Sequence, residues 1–109
     1  MNISIRDAGQ MTIVDVKGDV DLGTSQDLRR TLFDAEPLGA TVAVNLEAVH
    51  YIDSSGIATL IEALKHFQRL HKEFMLFGLS PAVEAVFRLT HVAGIFRIFH
   101  TELEALGGR

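Results

Sequence analysis

Cysteine is absent from the 109 residues. With it go disulfide frameworks, thiol nucleophiles and thiolate metal sites, and its absence fits a reducing cytoplasm. No apolar run approaches the roughly 20 residues that cross a bilayer. The opening Met1-Asn2-Ile3-Ser4-Ile5-Arg6 lacks a basic stretch followed by a long apolar core. A soluble, unsecreted, cytoplasmic protein without membrane insertion is expected. Cations are scarce in the first half: residues 1–53 hold 4 Lys/Arg against 9 Asp/Glu, and residues 54–109 hold 6 against 5. Phosphate backbones and anionic bilayers are gripped by clustered Lys and Arg, so a protein partner is expected in place of direct nucleic-acid binding. Repeats, low-complexity tracts and linkers are also missing. One domain over residues 1–109 is expected, with a core built from the 48% of residues that are hydrophobic and a frayed Gly107-Gly108-Arg109 end.

What is present alternates between two periodicities. Ile3-Ser4-Ile5 and Met11 to Lys17 alternate as strands around an Asp7-Ala8-Gly9-Gln10 turn, which predicts an opening hairpin. Gly18 to Gly23 breaks that pattern. Thr24-Ser25-Gln26-Asp27 has the spacing of a capping box, and the first helix then carries Leu28, Leu32 and Ala35 as its apolar stripe until Pro37-Leu38-Gly39 stops it. Val42 to Leu46 is a short apolar run suited to a strand buried on both faces, and Glu47 to Tyr51 reads as a link from it to Ile52. Ile57, Leu60, Ile61, Leu64 and Phe67 then recur at helical spacing, with Thr59, Glu62, His66 and Arg69 opposite. A strand at 74–77, a helix opened by Ser80-Pro81 and ending near Thr90, a last strand at 95–99 and a helical turn over 101–106 complete the order. The fold class is α/β, with a sheet and crossover helices.

Most catalytic and ligand chemistries lack their signatures. No glycine precedes Ser54 or Ser55 in the register of a G-x-S-x-G elbow. Gly18 to Thr24 imitates phosphate-loop spacing, but Thr24 stands where that loop needs Lys, and Asp19 and Asp21 would repel a nucleotide. A calcium loop there would need a downstream bidentate Glu, and Leu28, Arg29 and Arg30 occupy that neighbourhood. Glu62 and His66 share a helix face that reads as solvated, and two ligands do not make a zinc site. No enzyme, metal or cofactor is expected. Asp53-Ser54-Ser55-Gly56 is different. It stands between a strand and a long helix, where free backbone N–H groups favour an anion or a docking partner. Capping requires only one of its polar residues. Gly56 in a helical first turn costs roughly 1 kcal/mol relative to Ala, so a closely approaching partner is the expected reason for its bare backbone. Capping logic does not choose between Ser54 and Ser55.

Gly18-Asp19-Val20-Asp21, Asn45-Leu46, Tyr51-Ile52-Asp53-Ser54-Ser55-Gly56 and Ser80-Pro81-Ala82-Val83 together resemble the STAS domain, specifically bacterial anti-sigma factor antagonists. The resemblance spans nearly the whole chain. It implies a mixed sheet of four to five strands with crossover helices. It also implies binding to a kinase-type anti-sigma factor while unphosphorylated, release on phosphorylation of one serine, and restoration by a serine phosphatase. By position that serine is Ser55, with Asp21, Asp53, Ser54 and Gly56 shaping the partner surface. A phosphoserine adds about −1.5 to −2 charge, and one unit-charge pair at ~6 Å in an effective dielectric near 20 is worth about 3 kcal/mol, a hundredfold in affinity. A helix N-terminus returns only about 0.3–1 kcal/mol of that. A STAS scaffold subunit of a lipid-transport complex or stress-signalling assembly, docked constitutively, is the alternative. The resemblance also marks two departures: Lys72-Glu73 replaces a glycine pair after the long helix, and Thr90-His91-Val92 replaces a Thr-Gly-Leu turn. A residue other than glycine in a left-handed cap is strained.

Overall fold

Alternating β-branched residues give the chain its strands, and the pairing between them fixes where the helices begin. The computed structural model describes residues 1–107, and within them one sheet has the order β1-β2-β3-β4-β5. These strands are Asn2–Asp7, Thr12–Val20, Thr41–Ile52, Glu73–Phe77 and Arg97–Phe99. The pair β1–β2 is antiparallel and the other three pairs are parallel. The helices are α1 (Ser25–Ala35), α2 (Ser54–Arg69), α3 (Pro81–Leu89) and α4 (Glu102–Gly107). One sheet face presents Val14, Val16, Val42, Val44, Leu46 and Leu76 to the apolar stripes of α1, α2 and α3. Phe67 and Phe87 are almost fully enclosed there, and each such side chain contributes about 1.5–3 kcal/mol through burial. The opposite face packs Ile13, Ala43, Met75 and Phe77 against Ala105 of α4.

Several expectations are corrected. Residues 47–51 are not a link. β3 runs unbroken through them because β2 itself continues past Gly18 to Val20, and Lys17, Gly18, Asp19 and Val20 pair with Ala48, Val49, Tyr51 and Ile52. Two register shifts accommodate the polar interruptions, and Gly18 takes φ 106°, which a glycine adopts without strain. The last strand starts at Arg97, because Ala93–Ile95 forms a 3₁₀ turn. Gly107 belongs to α4, whereas Gly108 and Arg109 of the expected frayed end lie outside the described residues.

The polar face expected on α2 keeps Glu62 and Arg69 exposed, but part of it is a seam. Thr59 is buried, with its hydroxyl donating to the Ser55 carbonyl at 3.0 Å. Arg29 of α1 donates to Glu62 at 3.0 Å and sits 4.5 Å over the ring of Phe33. Phe33 stacks on His66 at 4.5 Å, and His66 Nε2 lies 3.6 Å from Glu36. Lys72 also donates to the Glu36 carboxylate and, at 2.9 Å, to its carbonyl. Glu62 stays exposed, as expected of a solvated face, whereas His66 is half-buried because the neighbouring helix supplies partners that spacing along one helix cannot reveal.

Both unusual turns are left-handed caps occupied by histidine. His71 and His91 each have φ 57°. After α2, Lys72 N–H donates to the Phe67 carbonyl and His71 N–H to that of Gln68; after α3, Val92 and His91 repeat the pattern onto Phe87 and Arg88. These paired bonds define a Schellman end. The left-handed residue after α2 is thus His71, one position ahead of the Lys72-Glu73 pair, and Glu73 already opens β4.

Candidate partner-binding face

The Val20↔Ile52 pairing ends two adjacent parallel strands side by side. The chain leaves them at Asp21 and Asp53, so the structure brings both sequence-marked junctions to one end of the sheet. The backbone N–H of Asp53 donates to the Val20 carbonyl at 3.2 Å, extending the ladder to the start of α2.

Asp53 caps α2 from an extended conformation, φ −114° and ψ −172°. Its Oδ1 accepts from the N–H groups of Ser55 at 2.9 Å and Gly56 at 3.4 Å, and from the Ser55 hydroxyl at 2.5 Å. The Ser55 hydroxyl, opposed by desolvation and helped by the two backbone donors, holds the Asp53 carboxyl below its ordinary range. Ser54 is exposed and Ser55 half-buried. The two serines therefore differ in a way that spacing did not show: among the described residues, Ser55 alone of the pair has its hydroxyl on the cap carboxylate.

Gly56 corrects the reasoning that led to it. A Cβ there would stand 2.7 Å from Ile52 Cγ1 and 2.7 Å from Val20 Cγ1. Both of those side chains are buried strand ends. The close approach that requires a bare backbone is therefore internal, between the first turn of α2 and the sheet. Gly56 itself is buried.

The loop from Asp21 to Thr24 is organised by its own side chains. Asp21 Oδ1 accepts from Thr24 N–H at 3.1 Å, and Thr24 Oγ1 accepts from Asp21 N–H at 2.9 Å while donating to the Asp19 carbonyl at 2.9 Å. The expected capping box does not form. Thr24 makes no side-chain cap bond to α1, its hydroxyl being committed to the loop, and Asp27 turns to Arg30 at 3.1 Å. Leu22 in this loop is 78% exposed. Sequence reasoning passed over it; the available signal was a large apolar residue between Asp21 and Gly23 with no periodic partner.

Comparison with known proteins identifies the family and the fold. Residues 2–105 match the STAS domain family. The chain belongs to the STAS family. It is 31% identical over 113 residues to the anti-sigma-B factor antagonist of Listeria monocytogenes, covering 98% of this chain and 97% of that one. The STAS domain superposes on the crystal structure of an anti-sigma factor antagonist from Mycobacterium paratuberculosis with TM-score 0.89 and 20% identity, covering 98% of this chain and 92% of that chain. It superposes on the Bacillus cell fate determinant SpoIIAA in its phosphorylated form with TM-score 0.73 and 19% identity, covering 97% of each. Its place in the family is among the anti-sigma factor antagonists. Among the described residues of this STAS domain, no helix is long and apolar enough to cross a membrane.

Proposed function

We propose that this STAS domain is a cytoplasmic, non-enzymatic regulator that binds a kinase-type anti-sigma factor while Ser55 is unmodified and is released when that kinase phosphorylates Ser55. A serine phosphatase resets it. The observation that carries this reading is the 2.5 Å bond from the Ser55 hydroxyl to Asp53 at the start of a 16-residue helix. The bond holds the hydroxyl in place at a rim that exposed Ser54 and Leu22 share with half-buried Asp21 and Asp53. In the transfer, Ser55 Oγ forms a bond to the γ-phosphorus of ATP, ADP leaves and the hydroxyl proton is lost. The product oxygen can no longer donate to Asp53, and about −1.5 to −2 charge then stands beside a carboxylate. The partner loses both a hydrogen-bonding surface and an electrostatic match. Leu22 supplies the apolar contact on this face, and Gly56 sets its shape from beneath.

Incubation with candidate kinase-type anti-sigma factors and ATP, followed by mass mapping, is expected to place one phosphate on Ser55. Ser55→Asp is expected to weaken the kinase complex by about a hundredfold while Ser55→Ala retains it. Equal affinities for the two variants would refute the switch. A complex that forms with no phosphate on Ser54 or Ser55 would favour the constitutive scaffold.

A further inference from the structure

A cavity of about 610 Å³ opens between α3 and the edge strand β5. Its floor is apolar, made by Leu79, Phe87, Ile98 and Phe99, and Phe87 is braced by Phe96 with ring centroids 5.8 Å apart. That volume is within the range of pockets that hold small organic ligands. Its rim carries Arg88, His91 and His100 against a single acid, Glu84. The Arg88 and Glu84 side chains are 3.9 Å apart and 71% and 62% exposed, so water screens their attraction and leaves the guanidinium open to a stronger partner. The imidazoles of His91 and His100 have no hydrogen-bond or ion-pair partner among the described residues. His91 also holds a left-handed conformation at this mouth, φ 57°, where glycine would sit without strain. His71 makes the same turn after α2 but does not line the cavity. None of Asp21, Asp53, Ser54, Ser55 or Gly56 borders it either.

We propose that this cavity is a binding site for a small amphipathic carboxylate. The hydrocarbon part lies on the half-buried Leu79, Ile98 and Phe99, and the carboxylate meets Arg88, His91 and His100. A guanidinium receives a carboxylate through two parallel hydrogen bonds, and an imidazole offers one N–H even when neutral. A purely apolar ligand would leave those donors without acceptors, and a polyanion would neither use the floor nor tolerate Glu84. The site goes beyond the phosphorylation switch and stands independently of it.

Octanoate titrated into the full-length ¹⁵N-labelled protein is expected to give saturable shifts confined to residues 79–100. Neutral octanamide is expected to bind about tenfold more weakly, as is octanoate to Arg88→Gln. Glu84→Gln is expected to tighten octanoate binding by removing the opposing charge. His91→Gly is expected to weaken octanoate binding while raising the melting temperature. His71→Gly should raise the melting temperature and leave binding unchanged. Octanoate and octanamide of equal affinity, Arg88→Gln with wild-type affinity, or shifts that never saturate would each overturn the proposal.

Discussion

Two helices start from the ends of two neighbouring parallel strands, and they start in opposite ways. Between β2 and α1 the chain takes four residues to turn, and Asp21 and Thr24 spend their side chains holding that loop, so α1 has no side-chain cap. Between β3 and α2 there is no loop. Asp53 is at once the end of the ladder and the cap of the helix. Similar residues, an acid followed by hydroxyls, thus order a loop at one junction and a helix at the other. The difference comes from the number of residues available. A loop of four has backbone groups of its own to satisfy, whereas a direct junction leaves the acid free to serve the helix. Ser55 inherits the rigid arrangement, and Leu22 the more adaptable one.

Substitutions that exchange or erode these arrangements sharpen the contrast. The largest effect on stability is expected from Gly56→Ala. A gain of about 0.5–1 kcal/mol from reduced backbone freedom is outweighed by about 1–3 kcal/mol of overpacking, because the buried Val20 and Ile52 side chains cannot withdraw. A net loss of about 1–2 kcal/mol should lower the melting temperature by several degrees in a calorimetric scan. Thr24→Val comes next, at about 1 kcal/mol, measured by urea titration. Amide exchange should quicken in residues 21–24 while the interior of α1 keeps its protection. Gly23→Ala is expected to stay within about 0.5 kcal/mol of wild type, since its Cβ would meet only Asp21 Oδ1 at 3.4 Å. A cost comparable to that of Gly56→Ala would erase the distinction between the junctions. The smallest effect is local. The Asp53 carboxyl titrates below its ordinary value of 3.8, so its cap is complete above that pH and is lost as pH falls through the lower folded value. The Ser55 and Gly56 amide resonances should report this loss in an acid titration followed by NMR.

The order of strands and helices was legible because each depends on its own periodicity: Thr12 to Val16 alternates, and Ile57 to Phe67 recurs every three or four residues. The Asp53-Ser54-Ser55-Gly56 junction was legible for the same reason, since it falls where one period gives way to another. Residues 47–51 were not, because Ala48, Val49 and Tyr51 join β3 through pairing with a strand some thirty residues away, and that partner supplies what local alternation lacks. The α1–α2 seam escaped on similar grounds. Glu62 and His66 look solvated on α2 alone, and only the packed α1 offers Arg29, Phe33 and the following Glu36. Gly56 shows a subtler limit. Its cost could be read from the sequence, but whether it made room for another molecule or for the protein's own sheet depended on Val20, thirty-six positions upstream.

The seating of Gly56 on Val20 and Ile52 bears on imitation of this face by peptides. A fragment copying residues 53–60 would have Ser55 and Asp53 but neither strand end to lean on, and helices shorter than about 12–15 residues rarely hold in water. Such a fragment would present the serine on a chain that must be ordered afresh at every encounter. A useful mimic has to carry the tips of both strands, or replace them with a covalent brace beneath the first helical turn.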